Sequence, residues 1–206
     1  MAELNELIPR EKLEGLSRRE RKKQETRWRI FNAAMELMEK RAFDSVTIED
    51  ICEAADVSNP LFFHHFSNKA ALVSTYINCR RDEVAQKLAA APDASATEQL
   101  DIINSHLFKS AKVSVAFTPQ LLAEIFNTKS LDFEHVDTGL TGILAQIIKK
   151  GQKAGEFSKH WHHEIAAVSL IGAWLLLPLA AQEAKFPKGH GDEALNLIKA
   201  GLKTPA

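Results

Sequence analysis

The residues best suited to hold a charged partner lie in one short run. Between Ser17 and Arg29, the side chains of Arg18, Arg19, Arg21, Lys22, Lys23, Arg27 and Arg29 face only Glu20 and Glu25, an excess of five positive charges. Such a run can neutralise phosphates, the sequence-independent part of nucleic-acid affinity. It also fits a solvated, cationic start to a helix. Some thirty residues further on, Ser58, Asn59 and His64 carry groups that hydrogen-bond to base edges, and Pro60 and Phe63 offer apolar contact to a thymine methyl. Asn59 and Pro60 equally suit the simple task of starting a helix. Thr47 can meet a phosphate through its hydroxyl or cap its own helix. Lys69, in the first turn of the next helix, opposes the helix macrodipole, and a phosphate partner would explain it.

Other chemistry is poorly provided for. His160, His162 and His163 lie together beside Glu164. Adjacent histidines do not easily face one ion, and no helical i, i+4 histidine pair occurs, so a solvated loop is expected there and no metal. Cys52 and Cys79 are expected as free thiols, Cys52 packed within its helix. Neither a glycine-rich phosphate loop nor a nucleophile elbow is present. The reading is therefore a protein that is not an enzyme and carries no cofactor, with a metal site at the histidines as a third-ranked alternative.

The elements that must position these residues are helices. Over 206 residues, 45% are apolar and 26% charged, enough to build a core and too apolar for wholesale disorder. No sustained alternation marks a strand. Residues 1–17 are expected as a flexible arm, followed by a helix over about 19–41 with Ile30, Phe31, Ala34, Leu37 and Met38 on one face. A short helix begins at Thr47, with Val46 and Ile51 placed as a hydrophobic staple. After Asp56-Val57-Ser58, a third helix covers 59–66 with Ser58 as its cap and Pro60 in its first turn. Longer helices are predicted over about 68–91, 96–116, 119–129, 133–153, 163–183 and 192–202. The fold class is all-α: an N-terminal three-helix domain with a helix-turn-helix over 47–66, then a helical body over 71–206. The uncharged stretch Ile165–Gln182 reads as a helix buried in a protein interface, its Ser169, Gly172 and Pro178 being poor for a membrane span.

The two short helices and their tight turn carry Ile51, Ala55, Val57, Phe62 and Phe66 where the helices touch, and Asp56 where a left-handed backbone is needed. In this setting Arg21–Val73 resembles the DNA-binding domain of the TetR family of transcription regulators. The matching pieces are Thr26-Arg27, Ile30, Ala33-Ala34, Phe43, Thr47, Ile51, Ala55, Val57-Ser58, Phe66 and Lys69. The chain departs from the family pattern at Ala42 and Asp56, where glycine is usual, and at Leu61, Phe63 and His65. At the last two, tyrosine hydroxyls commonly meet phosphates. His65 and His64 can still donate; Leu61 and Phe63 cannot. Either another operator is read, or the phosphate load shifts to Lys69, Thr47 and the 18–29 cluster.

The resemblance implies a homodimer on a palindromic double-stranded operator. It further implies a repressor with a DNA-binding domain over 18–70 and a body over 71–206 that senses a small hydrophobic or amphipathic molecule. Half-sites would lie about 34 Å apart, one helical turn. A pocket implied by the resemblance would draw on His106, Phe108, Phe117, Gln120 and Phe126, residues that an ordinary core also explains. The stripe Val136, Leu140, Ile143, Leu144, Ile147 and Gly151, with the following apolar helix, would make a four-helix contact between subunits. With no secretory pattern at the N-terminus, a cytoplasmic location is expected, without a membrane. The alternative is a helical sensor of a ligand or partner whose degenerate head does not bind DNA.

Overall fold

The computed structural model describes residues 15–109, 119–120, 139–183 and 190–203. Among these the secondary structure is helical throughout, and the chain divides into two compact units, Met1–Cys79 and Arg80–Ala206.

The first unit begins with α1 (Arg18–Lys40), opened by a capping box. The Ser17 hydroxyl accepts from the Glu20 amide, and the Glu20 carboxylate accepts from the Ser17 amide, so two otherwise orphaned donors are satisfied. One face of α1 buries Ile30, Phe31, Ala34, Met35 and Met38. A 3-10 turn, Phe43–Ser45, leads to α2 (Ile48–Ala55), where Thr47 and Asp50 form a second capping box. Asp56 then takes the left-handed conformation at φ 50° and ψ 56°, and its amide donates back to Cys52 and Glu53 carbonyls. That turn delivers α3 (Asn59–His65) against α2, with Ile51, Ala55, Phe62 and Phe66 buried between them. Ala42, the other position where glycine would be usual, sits at φ −57° and carries no strain. Only Asp56 therefore bears a conformational cost.

α4 (Ala70–Ala89) follows, and the division between units falls inside it. The second unit continues with α5 (Ala96–Lys109), α6 (Leu140–Ala154), α7 (His163–Glu183) and α8 (His190–Lys203). α6 packs on α7, α7 on α8, and α5 on both α6 and α8. The link after α6 is unusually well fixed. Gly155 is left-handed at φ 81°, which lets the chain reverse. Glu156 then reaches the start of α5, accepting from the Ala96 and Thr97 amides and the Thr97 hydroxyl, each at 2.9 Å. Burial opposes ionisation of this carboxyl, but the hydrogen bonds from residues 96 and 97 outweigh it and hold its pKa below the usual glutamate value. Phe157 enters the core beside Gly151, where a Cβ would collide with Phe157 Cδ2, stand 2.6 Å from its Cε2 and lie 2.8 Å from the Ala96 methyl.

One expectation for this unit changes. Leu144 and Ile147, assigned from periodicity to a contact between subunits, are buried in the chain's own core with Leu100, Ile103 and Leu170; Gly151 is buried too, Leu140 and Ile143 pack half-buried against that core, and Val136 lies outside the described residues. The period marks a buried face without saying what buries it. The uncharged helix is two-sided: Ala166, Ala167, Leu170 and Trp174 are buried, and Ile165 and Leu176 are 63% and 51% exposed. No helix among the described residues is long and apolar enough to cross a membrane.

Candidate nucleic-acid interface

The exposed end of α1 and the outer face of α3 define the candidate surface. Arg18, Arg19, Arg21, Lys22, Lys23 and Arg29 are exposed, as the charge run requires if it is to meet phosphates. Arg27 is different, and its place corrects the expectation. Its guanidinium donates to the His65 carbonyl and, at 3.1 Å, to the Thr75 hydroxyl, and lies 4.2 Å from the centre of the Phe66 ring. Burial lowers its pKa, with the Cys79 interaction opposing. Arg27 thus fastens α1 to the end of α3 and to α4; its donors point inward.

Lys69 is corrected in the same sense. It precedes α4, and its ammonium donates to the carbonyls of Phe43 (2.7 Å) and Val46 (2.8 Å) while lying 4.3 Å from the Phe43 ring centre. The carbonyls of the 3-10 turn supply the partner that the sequence left to a phosphate. His65, expected to replace a phosphate-binding tyrosine, is buried at 9% exposure, and its Nδ1 has no hydrogen-bond partner among the described residues. Burial first, then the charges of His64, Arg27 and Lys23, hold its pKa below the ordinary histidine value. It is a core residue whose surroundings disfavour the charged form.

On α3 the residues the sequence nominated are outward, and Leu61 is exposed with them. Asn59, Pro60, Phe63 and His64 are exposed, with Ser58 exposed at the tip. Ser58 occupies the cap position, yet its hydroxyl makes no capping bond. The Asn59 amide nitrogen lies 3.4 Å from Glu49 Oε1 on α2, a long contact. Thr47 spends an acceptor lone pair on the Asp50 amide at 3.0 Å, which leaves its O–H a donor.

In the second unit, the His106 ring nitrogen Nε2 is 2.8 Å from Glu83 Oε2, and its carbonyl accepts from Arg80. Gln120 Oε1 is buried without a partner among the described residues. The Phe108 side chain, Phe117 and Phe126 lie outside the described residues. Asn104, buried on α5, has a definite structural place. It accepts from the Trp174 indole at 2.9 Å and donates to Asp192 at 2.7 Å, tying α5 to α7 and α8. At the histidine cluster, His162 and His163 stack and His162 Nδ1 is 3.6 Å from Glu164. No three His, Cys, Asp or Glu side chains are grouped to hold a metal among the described residues.

Two short helices joined through a left-handed residue, the second facing outward beside an exposed cationic helix start, define a helix-turn-helix DNA-binding head. Residues 30–75 match the model of the bacterial regulatory proteins of the tetR family. The probable HTH-type transcriptional regulator ArpR of Pseudomonas putida is 30% identical over 181 residues, covering 75% of this chain and 82% of the relative. TtgR of P. putida, another HTH-type transcriptional regulator, is 28% identical over 177 residues with the same coverage. In fold, the chain is similar to a putative TetR-family regulator from Rhodococcus sp., with a TM-score of 0.66 at 19% identity over 87% of this chain and 99% of that one. The chain belongs to the TetR family of helix-turn-helix transcriptional regulators.

Proposed function

We propose that the chain works as a homodimeric repressor that leaves a palindromic operator when a small hydrophobic or amphipathic ligand binds its body. The observation that carries this reading is the outer face of α3, where Ser58, Asn59, Pro60, Phe63 and His64 stand exposed on a head whose other side is packed. That face suits a major groove, and the exposed cations of α1 suit its phosphates. The outward side of α7, with Ile165, Ser169 and Leu176 exposed, suits a second copy of the chain. A ligand that favours a dimer with wrongly spaced heads would lower DNA affinity about 5–150-fold, a coupling of ~1–3 kcal/mol.

The inward commitment of Arg27, Lys69 and His65 leaves the phosphates to the exposed cations of α1, and it is the one observation on which the alternative of a sensor without DNA would rest. One experiment separates the two. Binding selection from random duplexes with the full chain should enrich a palindrome bound by two chains, with affinity falling as salt rises. No enrichment, or salt-insensitive binding, would leave the sensor reading in its place.

A further inference from the structure

We infer that Phe63 reads the C5-methyl group of thymine, so that the preferred duplex carries thymine at a fixed position in each half-site. The inference rests on the DNA-binding reading above and names what that face recognises. α3 has the sequence NPLFFHH and carries no Lys, Arg, Asp or Glu. The arginine or lysine fork that commonly selects guanine is therefore not available from this helix. Its hydrogen-bonding side chains are Asn59 and the exposed His64, with Ser58 at the tip; His65 is buried, and the Asn59 amide nitrogen makes a long contact with Glu49.

What the helix offers is an apolar ring held in place. Phe63 is 52% exposed, against 36% for Leu16 and 37% for Leu61, the other exposed large apolar side chains described in this unit. The ring stands edge-on to Phe62 at 5.5 Å and 85°, and Phe62, fully buried, packs on Phe66 at 5.8 Å. Pro60, one turn earlier, is exposed on the same side. A lone exposed phenylalanine would need no explanation. Here it projects from a head whose α1 presents a cluster of exposed cations, and Arg27 joins α1 to the last residue of α3. A phenyl ring can neither donate to nor accept from a phosphate. In the major groove, the apolar feature among the base edges is the thymine methyl.

The test uses the duplex enriched from random sequence, with each thymine replaced singly by deoxyuridine, which removes only the methyl. The expected result is a loss of about fourfold or more at one position, the same in both half-sites, from the transfer of a single methyl. Phe63→Ala should bind the thymine and uracil duplexes alike with an unchanged salt slope, and Phe63→Leu should keep part of the discrimination. Tolerance of uracil at every position overturns the inference, as does an enriched palindrome without thymine. Discrimination retained by Phe63→Ala overturns it too. Because the uracil scan needs only the unaltered protein, a poorly folded variant does not spare it. Failure to enrich any duplex would overturn the DNA-binding reading as well, so the two failures are distinct.

Discussion

Replacing Arg27 by glutamine separates the head's internal bracing from its charge. Arg27 lies in the cationic run, so composition alone assigns it to DNA. In the structure its guanidinium holds the His65 carbonyl and the Thr75 hydroxyl and covers the Phe66 ring. Hydrogen bonds from a charged donor contribute about 1.5–3 kcal/mol where the partner is left buried, and a partly exposed cation–π contact about 0.5–1 kcal/mol. Arg27 is half-buried and glutamine retains a donor, so the expected cost is about 2–3 kcal/mol. Urea unfolding followed by circular dichroism should show that loss. On DNA the same variant should keep the slope of log affinity against log salt, because no charge facing a phosphate has been removed. The exposed pair changed together, Arg18→Gln with Arg19→Gln, should do the reverse. It should leave stability within about 0.5 kcal/mol and flatten the slope by about 0.9 for each phosphate no longer neutralised. A normal stability for Arg27→Gln with a slope flatter by about one unit would refute the reasoning, since it would place the guanidinium on a phosphate.

Three further outcomes follow from local geometry. Asp56→Gly should raise stability by about 0.5–1 kcal/mol in denaturant titration, because φ 50° costs an L-residue what glycine avoids; no gain would mean that the aspartate side chain offsets the strain. Gly151→Ala should destabilise by about 1–3 kcal/mol and lower the melting temperature, as its Cβ would meet Phe157 and the Ala96 methyl. Glu156→Ala should cost about 1 kcal/mol at pH 7, scaled as the loss of a partly solvated helix cap. Because the folded pKa of Glu156 is lowered, its contribution is present above about pH 4.3, the unfolded value, and disappears as pH falls through the folded value. Melting curves of the two proteins should therefore converge in acid, and a constant gap down to about pH 2 would contradict the assignment.

What was legible in the sequence was local. The Thr47 cap, the Val46–Ile51 spacing, the left-handed Asp56 and the outward set on α3 each depend on residues within a turn or two, and each is where its pattern places it. Arg27, His65 and Lys69 were not legible because their partners lie 23 to 48 positions away, beyond any periodicity. Charge type told that Lys69 needed an acceptor without telling that Phe43 and Val46 would provide it. The turn Gly155-Glu156-Phe157 holds more than its glycine shows. An acidic residue after a helix-ending glycine is an available cap for another helix's N-terminus, although the identity of α5 as its target is a tertiary fact. On α6, a correct stripe acquired the wrong neighbour, since a buried face looks alike in a core and in a subunit contact.

The central claim is that this head reads sequence through α3 and does not merely attract phosphates. The most direct measurement is the affinity of the full chain for the selected palindrome and for a scrambled duplex of equal composition, over a salt series. The account predicts tighter binding of the palindrome by about a thousandfold or more at physiological salt, with both affinities falling linearly on logarithmic axes. Equal affinities with the same salt slope would contradict it, leaving a cationic helix beside a surface that reads nothing.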